Sequence, residues 1–502
     1  MPKKPTNNQI NLNGISAVNP VRVNGGIKPR SSPRNQVSPS RLSSVAFSNG
    51  ANVPLAPAKI ENKPWGFANG YKNTLVDKPI KQAEKFWHAL GPGFTTGAAD
   101  DDPAGIATYS QAGAKYGLDF LWLAPYSLPF MATVQEMCAR IGLVTGRGLA
   151  GNIKRFYPKK FLYLVTALLF FTNAFNIGAN LGAMAAAVRL IFPGLDFNFL
   201  IVSFVVFSLV LQICTSYKNY SKYLKWLALI LLAYIAASFF AEVNAGEILK
   251  MGFLPNLNFG FSGIFMLCAF LGTTISPYLF FWQTSQEVEE EILEGKTTLR
   301  LRQSEARPEE IKKMRRDVWS GMFFSNLIAF FIITTTAATL HRYGITNIAT
   351  ASDAALALRP IAGNYAFLLF SLGIIGTGLL AVPVLAGSAS YALSESLGLR
   401  SGLYRKVKQA KAFYGVIIAS MLLGLLMNFL GINPIKALIY SAVINGLVAP
   451  LILGPIVTIS SNKKIMGQYA NRPITSALGW LITVVMILAG VFTIAVLLFN
   501  LH

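Results

Sequence analysis

The stretch that decides the fold is Thr95–Gly117, TTGAADDDPAGIATYSQAGAKYG. It lies where a long apolar pattern first begins, yet it holds three consecutive acids, Asp100, Asp101 and Asp102, followed at once by Pro103 and Gly105. An aspartate at mid-membrane costs at least about 2.5–3.5 kcal/mol, so unpaired acids do not persist there without partners or a task. Proline deletes a backbone donor and clashes with the preceding turn. In lipid the freed carbonyl must find a partner, so irregular backbone survives only inside the protein or beside a hydrated cavity. The segment therefore reads as a membrane helix interrupted at its own acid cluster.

The rest of the chain supplies the membrane context. Of its 502 residues 53% are hydrophobic and only 13% charged. Apolar runs of roughly 20 residues, the length that spans hydrocarbon, recur as about eleven candidate spans. They run from Trp87 to Tyr116, Phe120 to Val144, Phe161 to Phe192, Phe197 to Thr215, Leu224 to Val243, Phe261 to Gln283, Val318 to Leu340, Tyr365 to Leu393, Phe413 to Leu430, Ala437 to Ser460 and Ile474 to Phe499. A soluble fold would need several separate cores to hide so many helices apolar on every face. The fold class is an all-α polytopic membrane protein.

The net charge of +22 could point to nucleic acid, but the bases fall in the N-terminal tail and in alternate loops. Arg147, Lys154, Arg155, Lys159 and Lys160 follow the second span, Lys218, Lys222 and Lys225 the fourth, and Lys312, Lys313, Arg315 and Arg316 the sixth. Arg405, Lys406, Lys408 and Lys411 follow the eighth, and Lys463, Lys464 and Arg472 the tenth. Short basic loops stay cytoplasmic, so this pattern places the N-terminus inside and, after an odd number of spans, His502 outside. No nucleic-acid partner is implied. Residues 1–85, rich in Asn, Ser, Pro, Lys and Arg without a following apolar core, read as a disordered cytoplasmic tail with no cleavable signal. Residues 86–502 form the membrane domain. Cys138, Cys214 and Cys268 lie far apart in apolar runs and read as small buried hydrophobes.

A second interruption, LGTTISPYLF from Leu271 to Phe280, again puts a proline, Pro277, inside a span. Interrupted helices in corresponding positions of two halves point to an ion or substrate site near the midplane, where unwound carbonyls can coordinate a cation. For Pro277 alone, a plain packing kink is an equal reading. Among in-span bases, Arg140 and Arg189 are candidate counter-charges for the acids; a cation from solution is the simpler one. Oxygen donors suit hard divalent ions such as Mg²⁺ and Mn²⁺.

These residues resemble a known family. GPGFTTGAADDDPAGIATYSQAGAKYGLDFLW is similar to the first helix of the Nramp family of divalent-metal transporters, where the signature is Asp-Pro-Gly-Asn. QEMCARIGLVTGRGLAG is similar to its second helix, LGTTISPYLF to its Ala-x-x-Met-Pro-His break, and ISSNKKIMGQYANRPITSALGW to the loop into its last helix. The resemblance extends from Gly91 to Phe499. It implies a LeuT-like fold, with spans one to five and six to ten as inverted repeats that alternate access around a midplane metal. On that reading Asp102 matches the metal-binding aspartate, and Ala99 and Thr273 match positions offering backbone carbonyls. The metal is then the transported substrate, with no resident cofactor and no enzymatic activity implied.

The departures narrow the expectation. Where the family has asparagine this chain has Gly105, and where it has the metal-binding methionine this chain has Ser276. A thioether is a soft ligand and a hydroxyl a hard one, so the site should be oxygen-only and roomy enough for an ion that keeps waters, as Mg²⁺ does. This pattern resembles the Nramp-related magnesium transporters. The family's proton-relaying acids in the third helix fall on Asn176 and Ala179, and its histidine after the sixth-helix proline falls on Tyr278, with a reference pKa of about 10. The expectation is metal transport without obligatory proton coupling, by a monomer in the plasma membrane.

Other polar residues carry weaker expectations. Asp100 and Asp101 either line a hydrated vestibule, cap a helix or accept hydrogen bonds behind the ligands. Asn445 reads first as an interhelical hydrogen bond and second as a site residue, an ambiguity Thr274 and Gln283 share. Glu287, Glu289, Glu290 and Glu291 read as a solvated helix face pairing with the bases after it. Alternatives are a proton-coupled Mn²⁺/Fe²⁺ carrier of the ordinary Nramp type and a LeuT-like amino-acid transporter, whose anionic substrate the three acids would repel. A channel would need a symmetric pore built by oligomerisation or a continuous polar lining, which the two-repeat pattern argues against, and an enzyme lacks a metal or nucleophile constellation, since His88, His341 and His502 lie away from the acids. No Walker-type phosphate loop occurs.

Overall fold

Both in-span prolines of the two interruptions begin a new helix. In the computed structural model, which describes residues 91–215, 231–240, 244–255, 260–304 and 307–499, the first span is two helices, α1 (Pro92–Asp100) and α2 (Pro103–Tyr116). Then come α3 (Leu123–Thr145), the short α4 (Leu149–Phe156), α5 (Lys159–Ile191) and α6 (Phe197–Cys214). The described part of the fifth span is α7 (Leu232–Phe240), followed by α8 (Ala245–Phe253). The second interrupted span is α9 (Phe261–Thr274) and α10 (Pro277–Leu293), with the short α11 (Leu299–Ser304) after it. α12 (Pro308–Thr339), α13 (Ala366–Leu397), α14 (Lys411–Met427), α15 (Pro434–Ser461) and α16 (Pro473–Phe499) complete the chain. No strand occurs among the described residues. The expected tail over 1–85 lies outside them, as do Lys218, Lys222, Lys225, His88 and His502.

Among the described residues 8 helices are long and apolar enough to cross a membrane, the α9–α10 pair counting as one. The other expected spans are the broken α1–α2, α3 with its buried Gln135, Glu136 and Arg140, and the partly described fifth. The broken helices sit centrally: 83% of the apolar window of α9–α10 is buried, against 33% for α16. α16 turns Leu488, Val491 and Phe492 outward, the face a bilayer would cover.

Proline position explains why only two spans break. Pro103 and Pro277 stand at the first helical turn, where a missing N–H costs nothing. Pro129, Pro383, Pro450 and Pro455 lie inside continuous helices. A proline alone therefore does not break a span here; the breaks occur where an N-capping residue, Asp102 or Ser276, precedes it.

α1 is fixed at both ends. At its start the Asp317 carboxylate of α12 accepts from the amides of Gly91 (2.8 Å), Gly93 (2.7 Å) and Phe94 (3.3 Å), satisfying donors that have no intrahelical partner. Along its length Gly97 meets Gly321 of α12, and a Cβ on either would overlap the other helix's backbone.

Three expectations change. Cys214 is exposed on the outer face of α6, whereas Cys138 and Cys268 are buried. Arg140 pairs with Glu136 (3.4 Å) and donates to Asn471, and Arg189 is exposed, so neither serves the aspartates. Glu287, Glu289 and Glu291 are buried rather than solvated. The neighbouring helices and loops close over them: Glu289 accepts from the Tyr391 hydroxyl (2.6 Å) and the Leu403 amide (2.7 Å), while Glu291 does pair with Lys296 (3.3 Å).

The α1–α12 contact is testable. Gly97→Leu should lower stability by about 1–3 kcal/mol or prevent folding by overpacking. Gly415→Ala in α14, where a Cβ would meet nothing within 4 Å, should not destabilise. Thermal unfolding of the purified variants checks both.

Candidate functional site

The two breaks face one another. α1 ends at Asp100, and Asp102 caps α2 by accepting from the Gly105 amide at 2.8 Å through Oδ1. α9 ends at Thr274, and Ser276 stands at the N-cap of α10. Gly105 lies between them: a Cβ there would stand 3.2 Å from the Asp100 carbonyl oxygen and 3.3 Å from Thr273 Oγ1. A larger residue would push on both breaks at once.

Two tyrosines bridge the breaks. Tyr278 of α10 donates its hydroxyl to the Ala99 carbonyl of α1 at 3.0 Å. Tyr109 of α2 meets Thr274 Oγ1 at 3.0 Å; because that threonine already donates to the Phe270 carbonyl at 2.8 Å, Tyr109 is the donor. Its ring also packs on Phe270, centroids 5.2 Å apart. The Ser276 hydroxyl turns back into its own break, with the carbonyls of Gly272 and Thr273 both 2.8 Å away. The carbonyls of Ala99 and Thr273 are thus freed by the breaks: Ala99 accepts the Tyr278 proton, Thr273 shares the single Ser276 proton with Gly272, and each keeps at least one lone pair.

The three acids divide. Asp102 Oδ2 accepts from Asn180 (3.2 Å) and, at longer range, Asn176 (3.4 Å), both on α5. Asp100 Oδ2 and Asp101 Oδ1 face the Ser325 hydroxyl of α12 at 2.8 and 3.1 Å. That hydroxyl has one proton for two carboxylates, and Asp100 Oδ1 and Asp101 Oδ2 have no hydrogen-bond partner. All three residues are at most 1% exposed, and among the described residues none forms a salt bridge.

The two asparagines that donate to Asp102, Asn176 and Asn180, have amide oxygens without donors, as do Asn173, whose amide donates to the Leu385 carbonyl at 2.9 Å, and Asn445. Asn445 is buried on α15. Among the described residues no three His, Cys, Asp or Glu side chains converge as a metal cage. A cation here would be held by Asp102 together with amide, carbonyl and water oxygens. Asn180 and Ser325 escaped sequence reading. Asn173, Asn176 and Asn180 do form a polar stripe at helical spacing in an apolar helix, a legible signal. Nothing in the sequence of α12 singles out Ser325.

The chain is similar to several known proteins. Residues 93–496 match the family model described as Nramp, natural resistance-associated macrophage protein-like. The divalent metal cation transporter MntH of Klebsiella pneumoniae is 25% identical over 79% of this chain and 91% of its own. MntH of Aeromonas hydrophila is also 25% identical, over 79% and 93%. The fold is similar to that of a manganese transporter of Eremococcus coleocola, solved with an aromatic bis-isothiourea compound, with a TM-score of 0.64 and 14% identity over 85% of this chain and 88% of that one.

Ser325→Ala should leave both outer aspartates without a side-chain donor and cost about 1–3 kcal/mol of stability. Ser325→Thr, which keeps the hydroxyl, should cost less, as read by thermal unfolding.

Proposed function

The chain belongs to the Nramp family of divalent-metal transporters, and on that premise we propose that it carries a hard, partly hydrated divalent cation, Mg²⁺ or Mn²⁺, between its two helix breaks without obligatory proton coupling. It is a transporter and not an enzyme, and the metal is its cargo. The observation that carries the reading is the buried acid cluster: three aspartates with no basic partner among the described residues, beside two asparagines, Asn176 and Asn180, that donate to Asp102 and whose amide oxygens lack donors. A buried carboxylate is tolerated when it is paired or takes up a proton. A divalent cation supplies what the protein omits.

The donor set supports a hard ion. Asp102 is the ligand of principal charge, with Ala99 and Thr273 offering carbonyls and Asn176 or Asn180 an amide oxygen. Gly105 contributes no side chain, and Ser276 offers a hydroxyl where relatives offer a thioether. With few protein ligands the ion keeps waters, which suits Mg²⁺. Asp100 and Asp101 make the path negative without joining the ligands. Alternating access then requires the bridges Tyr278–Ala99 and Tyr109–Thr274 to break and reform as α1 and α10 move apart. We assign the chain to the plasma membrane as a monomer, with its N-terminus cytoplasmic and the tail of residues 1–85 outside the transport domain.

Proton coupling finds no titratable group on α5 facing Asp102, only Asn176 and Asn180. The second reading is a proton-coupled Mn²⁺ carrier: the Eremococcus coleocola neighbour is described as a manganese transporter, and the three buried aspartates are themselves groups able to hold a proton.

Uptake into proteoliposomes separates these. The wild type should take up Mg²⁺ and Mn²⁺ in preference to Fe²⁺, and Asp102→Ala should abolish uptake. Asn180→Ala should weaken metal affinity about ten- to a hundredfold, as loss of a group that orients a ligand does. Fe²⁺ selectivity in the wild type, or unaltered transport in Asp102→Ala, overturns the site assignment. Ser276→Met should shift preference toward softer metals, with Ser276→Ala as the control for its lost hydroxyl. Internal pH should stay constant during uptake; metal-driven acidification that depends on Asp102 would restore coupling.

A further inference from the structure

Two cavities open at the end of the molecule where the basic loops after α3, α10, α13 and α15 gather. The first, of about 370 Å³, is lined by Arg147, Lys154 and Arg302 but also by Glu289 and Glu395. Those acids are engaged within the protein, Glu395 by the Gly151 amide (2.9 Å) and Glu289 by Tyr391, Leu403 and Tyr404. The second cavity, of about 780 Å³, has Arg147, Arg155 and Lys464 in its wall and no acid at all. No residue of α1, α2, α9 or α10 lines it, so it is separate from the metal path.

This wall is built rather than incidental. Asn152 donates to Thr145 Oγ1 and to the carbonyls of Arg147 and Gly148, and Gln303 of α11 donates to the Thr145 carbonyl at 3.0 Å. The Asn462 side chain holds the Lys464 amide at 2.9 Å. The loops that carry the bases are therefore fixed by their own hydrogen bonds. Among the described residues none of the three bases forms a salt bridge; Arg147 shares the wall of the first cavity with Glu395 and interacts with its charge, yet Arg147 Nε is buried with no hydrogen-bond partner. A buried charged donor without an acceptor is costly. The missing partner is an anion.

The cavity's border says which kind. Arg155 lies over the Phe156 ring at 5.5 Å, and Phe156, itself in the wall, is 41% exposed. Tyr163 and Leu164 at the start of α5 are exposed as well. An anion here sits where a basic loop meets the surface that hydrocarbon covers. We infer that this cavity binds the phosphate group of an anionic membrane lipid, with Arg147, Arg155 and Lys464 as its counter-charges. Basic pockets between membrane helices commonly take such headgroups. Arginine pairs with phosphate oxygens through two parallel donors, which Lys464 supports as a point charge.

The test uses the whole purified protein in neutral detergent, with phosphatidylglycerol, phosphatidylcholine or inorganic phosphate added. Phosphatidylglycerol should raise the thermal midpoint of the wild type, and phosphatidylcholine should not. In Arg147→Gln/Arg155→Gln/Lys464→Gln the phosphatidylglycerol concentration needed for the same shift should rise roughly a hundredfold, at about fivefold per charge. If the triple variant does not fold, Lys464→Gln, at an exposed side chain, should show about a fivefold rise by itself. Arg155→Lys should retain most of the response. Inorganic phosphate that matches the lipid's effect at equal concentration overturns the lipid and assigns the site to a soluble phosphate. An unchanged lipid response in both the triple variant and Lys464→Gln overturns the site itself.

Discussion

The constraint on which the rest depends is the desolvation of three adjacent carboxylates. Asp100, Asp101 and Asp102 are removed from water, yet the described protein gives them one serine hydroxyl, two asparagine amides and one backbone amide, and no cation. Hydrogen bonds to neutral donors offset only part of the cost of burying charge. A proton or a bound cation relieves the remainder. Around the three carboxylates α5 brings two asparagines and α12 one serine, and α9–α10 brings a second break near Gly105.

Close approach of the breaks depends on small residues and on shared hydroxyls. Gly105 lets Asp100 and Thr273 come within contact distance of one position, and Gly97 with Gly321 lets α1 lie on α12 backbone to backbone. Tyr278 and Tyr109 then tie the halves through one hydrogen bond each. Such bonds contribute about 0.5–1.5 kcal/mol apiece, strong enough to order a state and weak enough to be exchanged in a cycle. The Asp317 cap fixes the far end of α1, so the short helix is held at its start, its middle and its break.

The interrupted spans were legible because the signals are local. Pro103 behind Asp102 and Pro277 behind Ser276 each combine a helix-stopping residue with a residue suited to the N-cap, and the span pattern follows from run length alone. The same locality misled elsewhere. Glu287, Glu289 and Glu291 look like a solvated face because the sequence next to them is charged, whereas the groups that enclose Glu289, Tyr391 and the loop at Leu403, lie over a hundred residues away. Cys214 looked buried because an apolar run does not say which face meets lipid.

What the sequence determined by itself is therefore the membrane class, the pair of breaks, the acid at each break's cap or its substitute, and the family that these motifs resemble, since each rests on residues within one or two turns of each other. Only the tertiary structure decided how the acids divide, with Asp102 to Asn180 and Asn176 and the other two to Ser325, and that Tyr278 closes on Ala99. It also decided that Arg147 and Arg155, from the segment after α3, and Lys464, more than three hundred residues further on, share one wall. The physical reason is the same in each case: pairing energies depend on distance and burial, and for groups far apart in the chain both are set by helix packing.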